Sequence, residues 1–372
     1  MPHRPFKEIM KAAVISLGSV SSKWVIEAMK KYFKKVDNIN IKDIEVNTVG
    51  ELEVLYKGKK IDDYDCIYIK GSFRYEPIMR AISTAVQNKV YTPITPLAFT
   101  IGHDKVLTQL ELQKNKIPMP ETYLASSANA AKKILKKINY PIVMKFPSGT
   151  QGKGVMFADS FASASSMMDA LSALRQPFLI QEYVETGGVD TRAIVVGDKV
   201  VASMKRESES REVRANIHAG GQGKACELDA HTKKIAVEAT KVIGAEVCAV
   251  DILESVKGPV IIELNLSPGL QGITKATKVD IADKIAKYLH KKSKEFKESG
   301  KKQDASKIMA EIGIKNGDQL KEIVTTLDFR GNRILLPSAV TSMTKFNEKD
   351  EYCIEAEKGF LAIKKFSSDK DE

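Results

Sequence analysis

Two apolar runs, Val247–Leu253 and Pro259–Leu266, flank the short connection Val256-Lys257-Gly258. Runs of this length joined by a glycine-containing turn predict an antiparallel β-hairpin. Side chains two apart on a strand share a face, so Glu263 and Asn265 point the same way. A turn centred on Lys257 sets Asp251 directly across from Glu263. Like charges opposite each other destabilise a sheet unless a cation lies between them. Their neighbours Val250, Ile252, Ile261 and Ile262 are apolar, which argues against a freely solvated pair. Two carboxylates and an amide oxygen form the all-oxygen donor set that suits Mg2+. A surface pair without metal is the competing reading.

The rest of the chain has to supply a scaffold for that hairpin. At 372 residues it is long enough for two or three domains. Apolar residues make up 43% of it, enough to bury a core. Cys66, Cys226, Cys248 and Cys353 are scattered with no CxxC pair, which argues against a zinc site or a disulfide framework. A reducing, cytoplasmic location is expected. No apolar stretch approaches the length of a transmembrane helix. Ala12–Leu17 is too short for a secretory signal and reads as a first β-strand. The net charge of +11 is unevenly spread. Lys284–Lys307 holds nine basic and three acidic residues and reads as a solvated helix face or linker. From Asp318 onward nine basic residues are outnumbered by eleven acidic ones, so this part is not a basic nucleic-acid module. The excess over the first 283 residues suits an acidic ligand without identifying it.

Residues 1–9 read as a loose leader. After Ala12–Leu17, Ser21 or Ser22 is placed to cap a helix reaching Lys34, with Trp24, Val25, Ala28, Met29, Tyr32 and Phe33 at helical spacing and Trp24 expected in the core. Cys66–Ile69 is a second strand, so the first 95 residues read as a small α/β unit with a parallel sheet. Helices are expected over Asp104–Lys116, 127–138, Ala236–Ile243 and Asp280–Leu289. Strands are expected at Ile142–Phe146, Val155–Phe157, Phe178–Val184, Arg192–Val196 and Val200–Lys205.

Three further motifs carry chemistry. Lys145-Phe-Pro-Ser-Gly-Thr-Gln-Gly-Lys-Gly154 is a glycine-rich connection between two strands, flexible enough for backbone N–H groups to approach a phosphate, with Lys145 and Lys153 adding charge. A strand follows it where a Walker A loop would lead into a helix, and an ordinary mobile hairpin is the alternative. Gln181-Glu-Tyr-Val184 leaves a strand with an extended backbone that can offer a carbonyl and an N–H to a nucleobase edge. Asp190, Arg192, Arg206, Arg214 and Asn216 cluster in sequence, and arginines are planar, bidentate partners for phosphate.

Taken together these motifs resemble the ATP-grasp superfamily and, within it, the RimK-like α-L-glutamate ligases of the archaeal type. The resemblance covers roughly residues 11–290. It rests also on Val189-Asp-Thr-Arg-Ala-Ile-Val-Val-Gly-Asp-Lys-Val-Val-Ala-Ser-Met-Lys-Arg206, Arg214-Ala-Asn-Ile-His-Ala-Gly-Gly221, Val250-Asp-Ile-Leu253 and Glu263-Leu-Asn-Leu-Ser-Pro-Gly-Leu270. It implies an α/β ATP-grasp fold, with an N-terminal α/β pre-ATP-grasp domain (10–97), a small lid subdomain (98–185) and a C-terminal subdomain with the metal site (186–290), the latter two α+β subdomains clasping ATP. A charged linker (291–317) and a small β-rich domain (318–372) would follow. By the resemblance Lys105 and Lys145 bind ATP phosphates, and Gly149–Gly154, including Gly152, Lys153 and Gly154, form the lid loop. Glu182, Tyr183 and Val184 hold adenine, and Asp190, Arg214 and Asn216 bind the nucleotide. Asp251, Glu263 and Asn265 hold two Mg2+ ions, with Mn2+ as a substitute, and Arg206 steadies the transferring phosphoryl group. Arg74, Arg192 and His218 are candidate substrate contacts.

The implied reaction is carboxylate–amine ligation through an acylphosphate, releasing ADP. It would add glutamate or another amino acid to a protein tail, a carrier protein or a coenzyme. Leu327–Pro337, Asp350–Glu357 and Phe360–Phe366 resemble a swapped-hairpin module of the AbrB type. That resemblance implies a homo-oligomer or a docking surface, while the acidic balance argues against DNA. No membrane association is expected. The competing reading is an ATP-sensing regulator whose C-terminal hairpin contacts DNA or a partner.

Overall fold

The computed structural model describes residues 10–125, 127–146, 154–173, 178–207, 223–311, 328–331, 333–336, 340–341, 344, 346–348, 350–357 and 360–365. The chain divides into two compact units, 1–302 and 303–372.

The first unit begins with β1 (Lys11–Ser16), α1 (Val20–Met29), β2 (Lys35–Asn40), β3 (Ile44–Asn47), β4 (Glu53–Tyr56), β5 (Lys59–Lys60) and β6 (Cys66–Ile69). Strands β2, β1 and β6 form a parallel sheet in that order, and β3–β5 form a small antiparallel one. A parallel sheet is covered on both faces, which is why β1 and β6 read as near-continuous apolar runs and are almost wholly buried. The first helix starts earlier than the serine pair suggests: Ser19 is its N-cap and accepts from Ser22 N. Ser21 is buried and accepts instead from Leu270 N at 2.8 Å. Trp24, expected in the core, is 39% exposed, because Val25, Ala28 and Met29 take the inward stripe. Helices α2 (Glu76–Val86), α3 (Pro96–His103) and α4 (Lys105–Lys114) lead on from the sheet.

Next come β7 (Thr122–Leu124), α5 (Ala128–Leu135), β8 (Ile142–Lys145), β9 (Val155–Ala158), α6 (Phe161–Ala173) and β10 (Leu179–Glu182). The four strands form an antiparallel sheet in the order β7-β10-β8-β9. It has a core of its own, built from Leu135, Ile142, Met144, Met168, Phe178 and Ile180 among others.

A five-stranded antiparallel sheet follows, ordered β13-β12-β11-β14-β15, from β11 (Val189–Val196), β12 (Lys199–Glu207), β13 (Gly223–Ala225), β14 (Val247–Ser255) and β15 (Gly258–Asn265). Its packing partners include α7 (Ala230–Val242) and α8 (Gln271–Thr277). Its buried side chains belong to the same continuous core as those of β1 and β6. Helix α9 (Ile281–Glu311) runs through the basic stretch expected as a linker. Among the described residues of the second unit, β16 (Asp328–Arg330) pairs with β17 (Arg333–Leu335), and β18 (Tyr352–Glu357) with β19 (Phe360–Lys365).

The β14–β15 hairpin pairs Asp251 with Glu263, as the spacing predicts, but by a different route. Ser255 pairs with Gly258, so the turn is Val256-Lys257 and its centre falls between those residues. That register alone would set Asp251 against Ile262 and turn Glu263 to the other face. A β-bulge after Asp251, with Ile262 as the extra residue, restores the pairing.

Candidate active site between two sheets

The site begins as a consequence of register. Strand β11 pairs Arg192 with Asp251, which pairs in turn with Glu263 on β15. On the same face, one step away in opposite directions along the sheet, Asp190 pairs with Arg206 of β12, and Ala249 with Asn265. The polar N-terminal half of β11 thus aligns its charges with those of its neighbours β12 and β14 and, beyond β14, of β15, while the apolar half, Ala193–Val196, is buried on both faces.

The charges interlock. Arg192 grips Asp251 in a bidentate pair, Nε to Oδ1 at 2.7 Å and Nη2 to Oδ2 at 2.6 Å. Arg206 does the same to Asp190 through Nε and Nη2 and also reaches Asp251 Oδ2 at 2.9 Å. Asp251 is 4% exposed. Burial pushes its carboxyl up, but the two guanidiniums outweigh that and hold it below the usual range. Glu263 lacks such partners: among the described residues no ion pair or side-chain hydrogen bond holds it. Burial, and then the charge of Asp251, keep its carboxyl above the usual range. A cation beside both would reverse that shift. Asn265 lies on the same face, its Oδ1 accepting from Ser267 N at 2.9 Å.

The four-stranded sheet supplies the opposite wall. Lys145, the last residue of β8, donates to Gln181 Oε1 at 2.5 Å, and Gln181 Nε2 donates to Thr122 Oγ1 at 2.8 Å. Burial pulls the Lys145 ammonium down to about 8. Lys105 opens α4, directly after its N-cap Asp104, whose carboxylate accepts from Val106 N and Leu107 N.

Between the walls lies a cavity of about 400 Å³, lined by Lys105, Lys145, Arg192, Arg206, Glu263 and Asn265, and also by Gly71–Phe73, His103 and Ser267. A second cleft of about 80 Å³ shares Lys145, Gln181, Arg206 and Glu263 with it, so the two are contiguous. Glu182, Tyr183, Val184 and Asp190 line this cleft, with Val143, Leu253 and Ile262 as apolar walls. The Tyr183 ring is fixed edge-on against Phe157, centroids 5.2 Å apart.

Most of the residues expected at the site therefore converge. Arg74 does not: it is exposed over the Phe73 ring, while Gly71–Phe73 line the cavity in its place. Gly154 lies at the mouth of the glycine-rich connection with φ +80°, and a Cβ there would meet the Phe146 ring at 2.2 Å. Gly152, Lys153, Arg214, Asn216 and His218 lie outside the described residues. The sequence reading missed Gln181 and His103. Gln181 stood in a quoted motif, and strand alternation alone would have put it on the face of Tyr183. His103 carried no motif.

Comparison with known proteins agrees with this geometry. The family model described as the RimK-like ATP-grasp domain matches residues 102–289. A probable α-L-glutamate ligase of Vibrio cholerae is 35% identical over 304 residues, which span 78% of this chain and all of the relative. One from Legionella pneumophila is 40% identical over 207 residues, 55% of this chain and 68% of the relative. Among solved structures, the ATP-grasp ligase PsnB complexed with a minimal precursor superimposes with a TM-score of 0.61 at 17% identity, covering 76% of this chain and 98% of that one. A RimK domain ATP-grasp protein from Sphaerobacter thermophilus gives 0.59 at 17% identity, covering 75% and 99%. The fold is the α/β ATP-grasp fold, and the protein is an ATP-dependent ligase. The chain belongs to the RimK-like ATP-grasp family.

Proposed function

We propose that this ligase is Mg2+-dependent and joins the amine of L-glutamate to the carboxylate of a peptide or protein acceptor through an acylphosphate. The observation that carries the reading is the charged row Arg206–Asp190–Arg192–Asp251–Glu263 at the junction of the two clefts, with Lys145 across from it. In this reading the nucleobase lies in the apolar cleft against Glu182, Tyr183 and Val184. Asp190 contacts the nucleotide, and Lys105 and Lys145 meet its phosphates. Lys145 has only a neutral partner in Gln181, so an arriving phosphate restores its full charge. Arg206 swings from Asp251 to the phosphoryl group in transfer and then to the oxyanion of the tetrahedral intermediate. Arg192 stays on Asp251 and keeps that wall neutral. The family resemblance adds Gly152, Lys153, Arg214 and Asn216 to the nucleotide contacts.

The donor set fits a hard cation: Asp251, Glu263 and Asn265 present oxygens on one face, and the two carboxylates paired across adjacent strands are best accommodated with a cation beside them. Mg2+ held there would neutralise charge on the phosphates.

The test is ADP release from Mg2+, ATP and L-glutamate, with the dipeptide α-L-glutamyl-L-glutamate as acceptor probe. Acceptor-dependent release with a matching gain of one glutamyl residue supports the reading. Release with no new amide, or none with any peptide acceptor while ATP still binds, sinks it. Arg206→Lys should lower turnover by about 10²–10³-fold, because an ammonium cannot hold Asp190 bidentately while reaching the phosphoryl group.

A further inference from the structure

We propose that His103 is the base that takes the first proton from the ammonium group of the incoming amino acid, an inference that rests on the ligase reading above. His103 ends α3, just before the N-cap of α4, and its ring lines the larger cavity. Its Nδ1 lies 2.7 Å from the carbonyl oxygen of Phe99, and the ring stacks on the Phe99 ring at a 9° interplanar angle. A carbonyl only accepts, so Nδ1 carries the proton. In the neutral ring Nε2 therefore bears the lone pair. Among the described residues nothing donates to Nε2.

Several of the cavity's other acceptors already take a donor. Gln109 Oε1 accepts from Thr122 Oγ1, Ser267 Oγ from Gly71 N, and Asn265 Oδ1 from Ser267 N. Glu263 is assigned to the cation. The charged groups around the ring are Glu76 on α2, Lys105 on α4, Lys145 on β8, and Arg192, Arg206 and Glu263 across the cavity. Among the described lining residues, the Nε2 lone pair of His103 is a basic, neutral acceptor that no donor occupies, and so is open to an ammonium group. Burial lowers the basicity of the ring despite the Phe99 carbonyl and Glu76, so it is unprotonated at neutral pH.

The step balances. An ammonium proton passes to Nε2, and the freed amine attacks the acylphosphate carbon. The C–N bond forms, the C–O bond to phosphate breaks, and the second nitrogen proton leaves with the phosphate. The imidazolium returns its proton to solvent.

His103→Asn separates this role from a structural one, because Asn keeps an N–H toward Phe99 and loses the second ring nitrogen. With the dipeptide probe, the variant should form the amide about 10²-fold more slowly. The deficit should shrink as pH rises and free amine accumulates. Hydroxylamine is uncharged at neutral pH and needs no base, so trapping of the acylphosphate by it should fall less than about three-fold. Equal losses with both nucleophiles, or no loss with glutamate, overturn the proposal. If the wild-type protein makes neither amide nor hydroxamate, the ligase reading fails instead. NMR of the His103 ring then judges the residue alone: L-glutamate must shift the Nε2 resonance where glutarate, which has no amine, does not. Identical responses to the two also overturn it.

Discussion

The two sheets that enclose the cleft solve the problem of holding charge in opposite ways. The five-stranded sheet keeps its charges paired: Arg192, Arg206, Asp190 and Asp251 neutralise one another across adjacent strands, and the sheet shares one core with the N-terminal strands. The four-stranded sheet offers a single lysine to the cleft, held by a neutral glutamine, over a separate small core. A wall whose charges are already satisfied is preorganised and rigid. A wall with its own core and one unsatisfied cation can shift as a body and is completed by an anion. One wall of each kind gives the cleft a fixed side and a side that can move against it.

Asp251→Ala breaks the comparison most severely. It leaves Arg192 and Arg206 beside each other with one carboxylate between them, both of them partly buried. Removing one partner of a buried ionic network costs about 3–5 kcal/mol. Lys145→Met in the opposite wall removes a buried charge that no ion pair among the described residues balances, so it should weaken ATP binding and leave the fold as stable as before or more so. Denaturant titration of the two variants side by side tests this. Equal losses of stability would mean that the walls do not differ as argued.

Leu135→Ala sharpens the comparison. Leu135 is fully buried in the small core, and a leucine truncated there costs about 2–5 kcal/mol. If that core is a cooperative unit, hydrogen exchange should accelerate across β7, β8 and β10 and leave β11, β14 and β15 nearly unchanged. Acceleration spread evenly over both sheets would show that they unfold together.

The hairpin was legible because its signals are local: two apolar runs, a glycine turn and carboxylates in phase. The bulge at Ile262 was not, since nothing in the hairpin's own composition marks it. Strand β8 and the start of β9 were legible from apolar runs, whereas Trp24 misled because helical spacing defines a stripe but not its edge. Ser19 outcompeted Ser21 as a cap because Ser21 is recruited by Leu270, some 249 residues away in sequence. The Arg192–Asp251 clamp depends on the register of β11 against β14, a long-range pairing that no local pattern encodes. His103 was invisible for a related reason: a lone histidine says nothing until Phe99 fixes its tautomer and the cavity surrounds it.

Lys70 extends the comparison to a charge that no ligand can reach. It directly follows β6 at 3% exposure, and among the described residues its Nζ donates only to the Pro268 carbonyl, at 3.3 Å, and lies 5.3 Å from the Tyr68 ring centroid. Like Lys145 it is pulled down to about 8, here by burial alone, from an ordinary 10.5. Between those two values the unfolded chain holds a proton that the folded chain has released. Stability from this group therefore rises with pH across that window, and below about 8 the folded state carries the whole penalty. Lys70→Met keeps the length and apolar stem while removing the charge. At pH 7 it should stabilise the fold by on the order of 2 kcal/mol, somewhat less than the shift alone implies because the Pro268 carbonyl loses its donor. The advantage should shrink above pH 8 and vanish near pH 10.5, a comparison in which all other titrating groups cancel. An advantage of the same size at pH 7 and pH 10, or a loss at pH 7, would show that the Lys70 charge is compensated in the fold.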